Sequence, residues 1–176
     1  MTHKLATGKA FPSMQLPRLG GGHVEIAKPA AGHDWKMIVV YRGKHCPLCT
    51  KYLSQLAQLQ GGFSEIGVDV IAVSTDGQER ATSQIGEVNP GYQVGYNLTL
   101  DQARELGLYI SGVRNGMDVE APFAEPGLFV VNGEGNLQLI DISNVPFARP
   151  DLQAVLNGLT WLRGQANKFP INGSHE

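Results

Sequence analysis

The chain has 176 residues and a mass of 19.0 kDa, and 42% of its residues are hydrophobic and 17% are charged. This size predicts one domain over residues 1–176 that buries its core without disulfide support. The formal net charge of −2 gives no electrostatic footprint for nucleic acid, and the lack of a run of 18 apolar residues argues against membrane insertion.

The N-terminal part of the chain predicts a small hairpin and then a buried strand. Residues 1–17 lack the apolar stretch of a secretory signal, so we expect a cytoplasmic protein. Short apolar pieces at 14–16 and 24–26 flank Gly20–Gly22, a pattern typical of a hairpin. The apolar, β-branched run over 36–41 predicts a strand that is buried on both faces of a sheet.

Helical and extended patterns alternate in the rest of the chain, and the residues after Gly164 predict a frayed tail. The early strand–helix–strand unit predicts parallel strands, and the late pair around a Gly-rich turn predicts an antiparallel edge. The predicted fold class is therefore α/β, with a mixed central sheet, helices on both faces and an N-terminal β-hairpin extension. The predicted elements are a helix from Leu48 to Gly61-Gly62, a strand over 68–73, a helix over about 78–87, an extended piece over 97–100, a helix over roughly 100–107 capped by Thr99 and Gln102, strands over 128–131 and 137–142, and a helix from Pro150-Asp151 to Leu162.

The only two cysteines, Cys46 and Cys49, lie three positions apart at the junction of a buried strand and a helix. The start of a helix stabilises a nearby anion, so a cysteine at this place is expected to have a lowered pKa. Arg42, Lys44 and His45 lie just upstream and are candidates to add positive charge. The spacing also lets the two sulfurs form a disulfide, so the motif predicts a reactive thiolate or a dithiol–disulfide cycle.

Two less reactive interpretations use the same cysteines. Free cysteines are often small core residues, and a CxxC pair can also ligate zinc. A structural zinc site needs about four ligands, and the chain has no second Cys or Cys/His pair with suitable spacing. We therefore expect redox chemistry at this pair, with no metal and no bound cofactor.

Four segments follow one another in an order typical of one family: 11–17 with the glycines after it, 39–49, 70–76 and 128–135. They resemble in turn the opening hairpin, the CxxC-containing active-site strand and loop, the second central strand and the late hairpin of peroxiredoxins. Peroxiredoxins form the alkyl hydroperoxide reductase and thiol-specific antioxidant (AhpC/TSA) branch of the thioredoxin-like superfamily. The resemblance extends from about Phe11 to Leu162, and it implies a thioredoxin-like sandwich and an antioxidant oxidoreductase.

The resemblance also assigns positions in the active site. In peroxiredoxins the peroxidatic cysteine follows a threonine by three residues, and a proline precedes that threonine by four. Cys49 occupies the peroxidatic position here, whereas Cys46 stands for the threonine, Arg42 for the proline, and Pro126 for the arginine before the late strand. Because the family's threonine and arginine orient the peroxide, these replacements are the main departure from the pattern. The missing guanidinium has three distant candidates: Arg104, Arg114 and Arg149.

The same departures resemble thioredoxin-like oxidoreductases, in which the first cysteine of CxxC attacks and a cis-proline precedes the late strand. Pro126 lies where that proline would be, although His45 stands where thioredoxins usually have tryptophan. Three functions stay open. The first is peroxide reduction by Cys49 with Cys46 as the resolving thiol, and the second is thiol–disulfide exchange with Cys46 as nucleophile and Cys49 as resolver. The third is a non-catalytic binding domain on the same fold.

These interpretations imply different partners. The two redox functions imply a peroxide or a protein disulfide as substrate, together with a thiol reductant of the thioredoxin or glutathione type. We expect neither nucleic acid nor a membrane as a partner. Analogy with the superfamily adds a homodimer as a further expectation.

Overall fold

The structure, a computed structural model, describes residues 5–165 and 168–176. The described residues form short N-terminal strands, a set of alternating strands and helices, and a C-terminal helix, in the predicted order. The elements are β1 (Gln15–Pro17), β2 (His23–Glu25), β3 (Trp35–Val40), α1 (Pro47–Glu65), β4 (Val68–Val73), α2 (Gln78–Val88), β5 (Gln93–Gly95), α3 (Leu100–Glu105), β6 (Ile110–Ser111), β7 (Phe123–Ala124), β8 (Gly127–Val131), β9 (Leu137–Ile142) and α4 (Leu152–Gly164).

A five-stranded mixed sheet in the order β5-β4-β3-β8-β9 forms the centre of the protein. The strands β3, β4 and β5 are parallel, whereas β8 runs antiparallel to β3 and β9 runs antiparallel to β8. The βαβ unit and the antiparallel edge predicted from the sequence are therefore confirmed. Since β3 is the central strand, the loop that follows it emerges in the middle of the sheet edge.

The central strand β3 is buried along its whole length, and its residues alternate between two apolar clusters. Met37 and Val39 face the cluster formed with α1 and α4, whereas Ile38 and Val40 face the cluster formed with the N-terminal segment and α3. A strand covered on both faces needs a continuous apolar run, which is the pattern seen in the sequence. The predicted α/β sandwich with helices on both faces is confirmed, and β1 and β2 form the predicted hairpin. None of the described helices combines the length and the apolar character that crossing a membrane requires.

The first helix is longer than the sequence predicts. Helix α1 continues through Gly61 and Gly62 and ends at Glu65, so the prediction that these glycines end it is wrong. A Cβ atom on Gly62 would lie 2.8 Å from Leu156 Cδ2 of α4. Gly62 therefore allows the two helices to pack closely, which is a packing role that the sequence pattern does not distinguish from helix termination.

The extended piece predicted over 97–100 is also wrong. The parallel edge strand is β5, and Asn97 adopts a left-handed backbone with φ of 57° before α3 begins at Leu100. The Thr99–Gln102 capping box of α3 is present as predicted. A small antiparallel sheet formed by β6 and β7 was not predicted, because each of these strands has two residues and shows no periodicity.

The frayed tail over 164–176 stays a prediction. Gly164 still belongs to α4, and residues 166 and 167 of this tail lie outside the described residues. Further along, the ring of Phe169 stacks on Trp161 of α4 with 5.7 Å between the ring centroids. The described part of the tail therefore packs against the C-terminal helix.

Candidate active site

The two cysteines occupy the first turn of α1, directly after the loop that follows β3. Cys46 is the N-cap residue, and its sulfur accepts a hydrogen bond from the backbone N–H of Cys49 at 3.2 Å. Pro47 follows at the first helical position, where the missing N–H of proline costs no hydrogen bond. The local sequence therefore places both sulfurs at the positive end of the helix dipole.

Cys46 is the more acidic of the two thiols. Its pKa is lowered to about 6, chiefly because the thiol of Cys49 hydrogen-bonds to it, and burial opposes this effect. The backbone N–H of Cys49 and the guanidinium of Arg42 lower it further, and Arg42 Nη1 lies 4.0 Å from Cys46 Sγ. At neutral pH the negative charge therefore rests mainly on Cys46 in the reduced state.

Cys49 is fully buried, and its pKa is raised because its proton is shared with Cys46 and because burial disfavours the thiolate. Arg149 acts in the opposite direction, since its Nη1 lies 3.4 Å from Cys49 Sγ. The pair thus holds one proton and one negative charge between two sulfurs, and each sulfur has its own arginine.

Arg149 is the only one of the three arginines considered above that contacts a sulfur among the described residues. Arg104 pairs with Asp101 on the exposed surface of α3, and Arg114 is exposed in the segment between β6 and β7. Arg149 lies in the loop between β9 and α4, and its Nε donates a hydrogen bond to the carbonyl of Pro146 at 2.8 Å. A guanidinium therefore contacts Cys49, although a proline occupies position 126.

Arg42 is held by a buried carboxylate. Its Nε lies 3.1 Å from Glu125 Oε2, an ion pair whose N–H direction does not meet hydrogen-bond geometry. Ser111 donates a hydrogen bond to the other oxygen of Glu125 at 2.6 Å, and the Arg42 guanidinium lies 4.9 Å from the centroid of the Phe123 ring. Glu125 therefore offsets the charge of Arg42, a role that no pattern in the sequence indicated.

Asp76 and Gln84 support the loop from the neighbouring strand and helix. Asp76 accepts the backbone N–H of Lys44 at 2.8 Å, and Gln84 donates to the carbonyl of Gly43 at 3.0 Å and to Thr50 at 3.1 Å. The sequence pattern alone did not single out Asp76 as a site residue. Its position after β4 could have indicated a role, because parallel strands bring the ends of β3 and β4 to the same edge of the sheet.

The other predicted site residues contribute less than expected. Lys44 is exposed, and only its backbone takes part in a hydrogen bond. His45 is half-buried against Phe123, and its pKa is lowered by burial and by Arg42, so it is neutral at neutral pH and adds no positive charge. Pro126 is buried directly before β8, and no cis peptide bond occurs in the described part of the chain.

Buried polar atoms without a hydrogen-bond partner gather around this loop. Across the described residues such atoms belong to five side chains, and each of them lies in the loop, precedes it or contacts it. Arg42 and Glu125 compensate each other through their ion pair, whereas the atoms of Tyr41, His45 and Gln84 stay unpaired at a cost in stability, which is typical of a functional loop. Over the same residues, no group of three His, Cys, Asp or Glu side chains is placed to hold a metal ion. The five side chains are those of Tyr41, Arg42, His45, Gln84 and Glu125.

Comparison of the sequence with known families and proteins agrees with this geometry. The sequence profile of the AhpC/TSA family matches residues 7–140. A Synechocystis protein that is provisionally named a peroxiredoxin is 24% identical over 168 residues, which cover 85% of this chain and 74% of that protein. The residues matched by the family profile include the loop, both cysteines and the supporting residues of β4 and α2.

Several solved structures of similar fold are described as peroxiredoxins or peroxiredoxin-like proteins. Peroxiredoxin 6 of Arenicola marina superposes with a TM-score of 0.79 at 18% identity, covering 96% of this chain and 79% of that one. A peroxiredoxin-like protein from Aquifex aeolicus gives a TM-score of 0.73 at 15% identity, with coverages of 91% and 89%. A yeast mitochondrial 1-Cys peroxiredoxin gives 0.75 at 16% identity, with coverages of 96% and 82%. These similarities confirm the thioredoxin-like fold class.

Proposed function

Because the chain belongs to the AhpC/TSA family and is a thiol-dependent oxidoreductase, we propose that it reduces peroxides, with Cys49 as the attacking sulfur and Cys46 as the resolving one. The observation that carries this proposal is the 3.4 Å contact between Arg149 Nη1 and Cys49 Sγ. A guanidinium at this place stabilises the thiolate before attack and then the charge that develops on the leaving oxygen.

The reaction consists of two balanced steps at the pair. The Cys49 thiolate attacks an oxygen of a hydroperoxide; the S–O bond forms while the O–O bond breaks, and the alkoxide takes a proton and leaves as an alcohol. Cys46 then attacks the sulfur of the Cys49 sulfenic acid, which forms the disulfide and releases hydroxide that is protonated to water. An external thiol reductant supplies two electrons and two protons and restores both thiols.

The shared proton explains how a buried Cys49 becomes reactive. Cys46 carries the charge in the reduced state, and moving the shared proton to Cys46 places the charge on Cys49 beside Arg149. The same displacement leaves Cys46 as a neutral thiol next to the developing sulfenic acid. Cys49 is then the thiolate that attack on the peroxide requires, and Cys46 loses this proton again when it attacks the sulfenic acid.

The thiol reductant is proposed to be of the glutathione or thioredoxin type. The solved yeast relative is described as a peroxiredoxin resolved through glutathione and thioredoxin systems, and it shares the fold of this chain. A second cysteine in the same helical turn makes an intramolecular disulfide the expected substrate for that reductant. Omitting each reductant in turn from a turnover assay identifies the one that is used.

The assignment is tested with the single variants Cys46→Ser and Cys49→Ser. Each reduced variant receives one equivalent of hydrogen peroxide in the presence of a dimedone-type reagent, and its adducts are located by peptide mass. Cys46→Ser is expected to form one sulfenic acid adduct at Cys49, whereas Cys49→Ser forms none. An adduct at Cys46 in Cys49→Ser, with none in Cys46→Ser, would refute the proposed roles.

A second function is favoured by the acidity of Cys46. A thiol with a pKa of about 6 at a helix start is suited to attack a disulfide, with Cys49 releasing the mixed disulfide. In that case Cys49→Ser accumulates a mixed disulfide through Cys46 when it is given a protein disulfide. If neither cysteine reacts faster than a free thiol with peroxide or disulfide, the non-catalytic binding domain is the remaining alternative.

A further inference from the structure

We propose that Tyr52 is a positioning residue that holds Arg149 against the sulfur of Cys49. This inference deepens the proposed function, in which Cys49 attacks the peroxide, and it rests on that function for its meaning. Tyr52 lies one helical turn after Cys49 on α1, so both side chains emerge from the same face of the helix. Arg149 comes from a loop 100 positions further along the chain, and it needs a fixed support to reach that face.

Tyr52 contacts this loop in two independent ways. Its ring lies under the guanidinium of Arg149, with 4.3 Å between Cζ and the ring centroid. Its hydroxyl donates a hydrogen bond to the carbonyl of Pro150 at 2.8 Å. Tyr52 is only 8% exposed, so both contacts are made in a largely desolvated environment, where they are strongest. Two consecutive loop residues are therefore fixed to α1 by a single side chain.

The remaining supports leave one end of the guanidinium free for Cys49. Arg149 Nε is occupied by the carbonyl of Pro146, and Asp151 caps α4 by accepting the N–H of Ala154 at 2.8 Å. Hydrogen bonds thus hold the loop before and after Arg149, while the ring of Tyr52 fixes the distance between the guanidinium and α1. Nη1 is then directed at the sulfur.

A tyrosine holds an arginine without neutralising it. Arg42 is paired with the carboxylate of Glu125, whereas none of the salt bridges between described residues involves Arg149. The face of an aromatic ring attracts a cation through its quadrupole and leaves the net charge in place. Arg149 therefore acts on Cys49 without an ion-pair partner of its own among the described residues, which is the opposite of the arrangement at Arg42.

The experiment measures the thiol pKa of Cys49 from the pH dependence of alkylation in a Cys46→Ser background. Arg149→Gln is expected to raise this pKa by about 1–3 units, the range for loss of an adjacent opposite charge. Tyr52→Leu removes ring and hydroxyl and is expected to produce most of that rise, whereas Tyr52→Phe keeps the ring and produces a smaller one. Tyr52→Leu combined with Arg149→Gln is expected to match Arg149→Gln alone.

Tyr92→Phe is the matched control. Tyr92 is also buried, and its hydroxyl also donates to a backbone carbonyl, that of Leu53 on α1 at 2.7 Å, but it has no contact with Arg149. Loss of the Tyr92 hydroxyl in Tyr92→Phe is expected to lower the melting temperature about as much as Tyr52→Phe does. It should leave the pKa of Cys49 unchanged, because a merely structural contribution does not move that quantity.

Two results would overturn the proposed role of Tyr52. One is an unchanged pKa of Cys49 in Tyr52→Leu, and the other is that Tyr52→Leu raises this pKa equally when Arg149 has already been replaced. The proposed function fails separately, because it is read from the reaction of Cys49 with hydrogen peroxide in the same variants. If the pKa values change as expected and Cys49 does not react with peroxide, the positioning role of Tyr52 is supported and the peroxidase assignment is refuted. The two failures are therefore distinguishable in one set of proteins.

Discussion

A buried ion pair between the two central strands provides a test of the fold that does not involve the cysteines. Lys36 of β3 and Asp69 of β4 are register partners, and Lys36 Nζ lies 2.6 Å from Asp69 Oδ2. The Lys36 side chain is 0% exposed and that of Asp69 is 15% exposed, and the same carboxylate oxygen accepts the N–H of Ala30 at 2.8 Å. The two charges therefore differ in their access to water, and the effect of removing one depends on which one remains.

Asp69→Asn leaves the ammonium of Lys36 buried without a counter-charge. Burial already lowers the pKa of Lys36, and the nearby carboxylate opposes that effect. Breaking a buried pair in this way costs about 3–5 kcal/mol, which for a chain of this length corresponds to a fall in melting temperature of roughly 10 °C. Lys36→Met fills the same space without a charge, and Asp69 keeps its backbone hydrogen bond and some hydration, so we expect a cost below about 1 kcal/mol.

The assay is urea unfolding of Asp69→Asn, Lys36→Met and the double variant, followed by circular dichroism. The double variant is expected to recover most of the stability lost in Asp69→Asn, because Lys36→Met removes the stranded charge. A double variant as unstable as Asp69→Asn would refute this reasoning, since the loss would then come from the contact with Ala30 or from the sheet itself. The rate of reaction with peroxide should be unchanged in Lys36→Met, because this pair lies at the opposite end of β3 from the cysteines.

Three further predictions concern backbone positions and charge near the site. Gly61→Ala is expected to raise the free energy of unfolding in urea by about 0.5–1 kcal/mol, because nothing lies within 4 Å of its added methyl group. Gly62→Ala should not show this gain, because its methyl group would lie 2.8 Å from a side chain of α4. Gly43→Ala should destabilise by roughly 1–3 kcal/mol in the same assay, because its φ is +135° and its Cβ would lie 2.6 Å from a carboxylate oxygen. Arg42→Gln should raise the pKa of Cys46 above its value of about 6. As the pH is lowered, alkylation of this thiolate should therefore stop at a higher pH in the variant than in the unmodified protein. An unchanged alkylation profile would show that Arg42 does not stabilise the thiolate.

The main elements of the fold follow from local patterns in the sequence. The continuous apolar run of β3 predicts burial on both faces, and the Gly-rich turn between β8 and β9 predicts an antiparallel edge. The errors occur where a residue has a tertiary role. Gly62 marks a close approach of two helices that are distant in sequence, and the strand β5 has three residues that gain their pairing only from β4.

The site divides in the same way between local and distant residues. The positions of Cys46 and Cys49 at a strand–helix junction follow from about ten consecutive residues, so the sequence predicts them together with Arg42. Arg149 and Glu125 lie about 80 to 100 positions away from the cysteines, and only the packing of α4 and of the small sheet brings them to the loop. The sequence offers Arg149 as one of three arginines with nothing to select it, because the selecting contact with Tyr52 is itself tertiary.

The two arginines differ in their partners, and this difference supports the roles proposed for the two sulfurs. Arg42 shares its charge with Glu125, so it stabilises the Cys46 thiolate moderately and leaves that sulfur able to accept the proton of the pair. Arg149 rests on a neutral ring and has no ion-pair partner among the described residues, so its charge can stabilise a negative charge that develops at Cys49. A resolving sulfur needs a thiolate that forms easily, and an attacking sulfur needs a cation that also stabilises the departing oxygen. The asymmetry of the supports therefore favours attack by Cys49 even though Cys46 is the more acidic thiol in the reduced state.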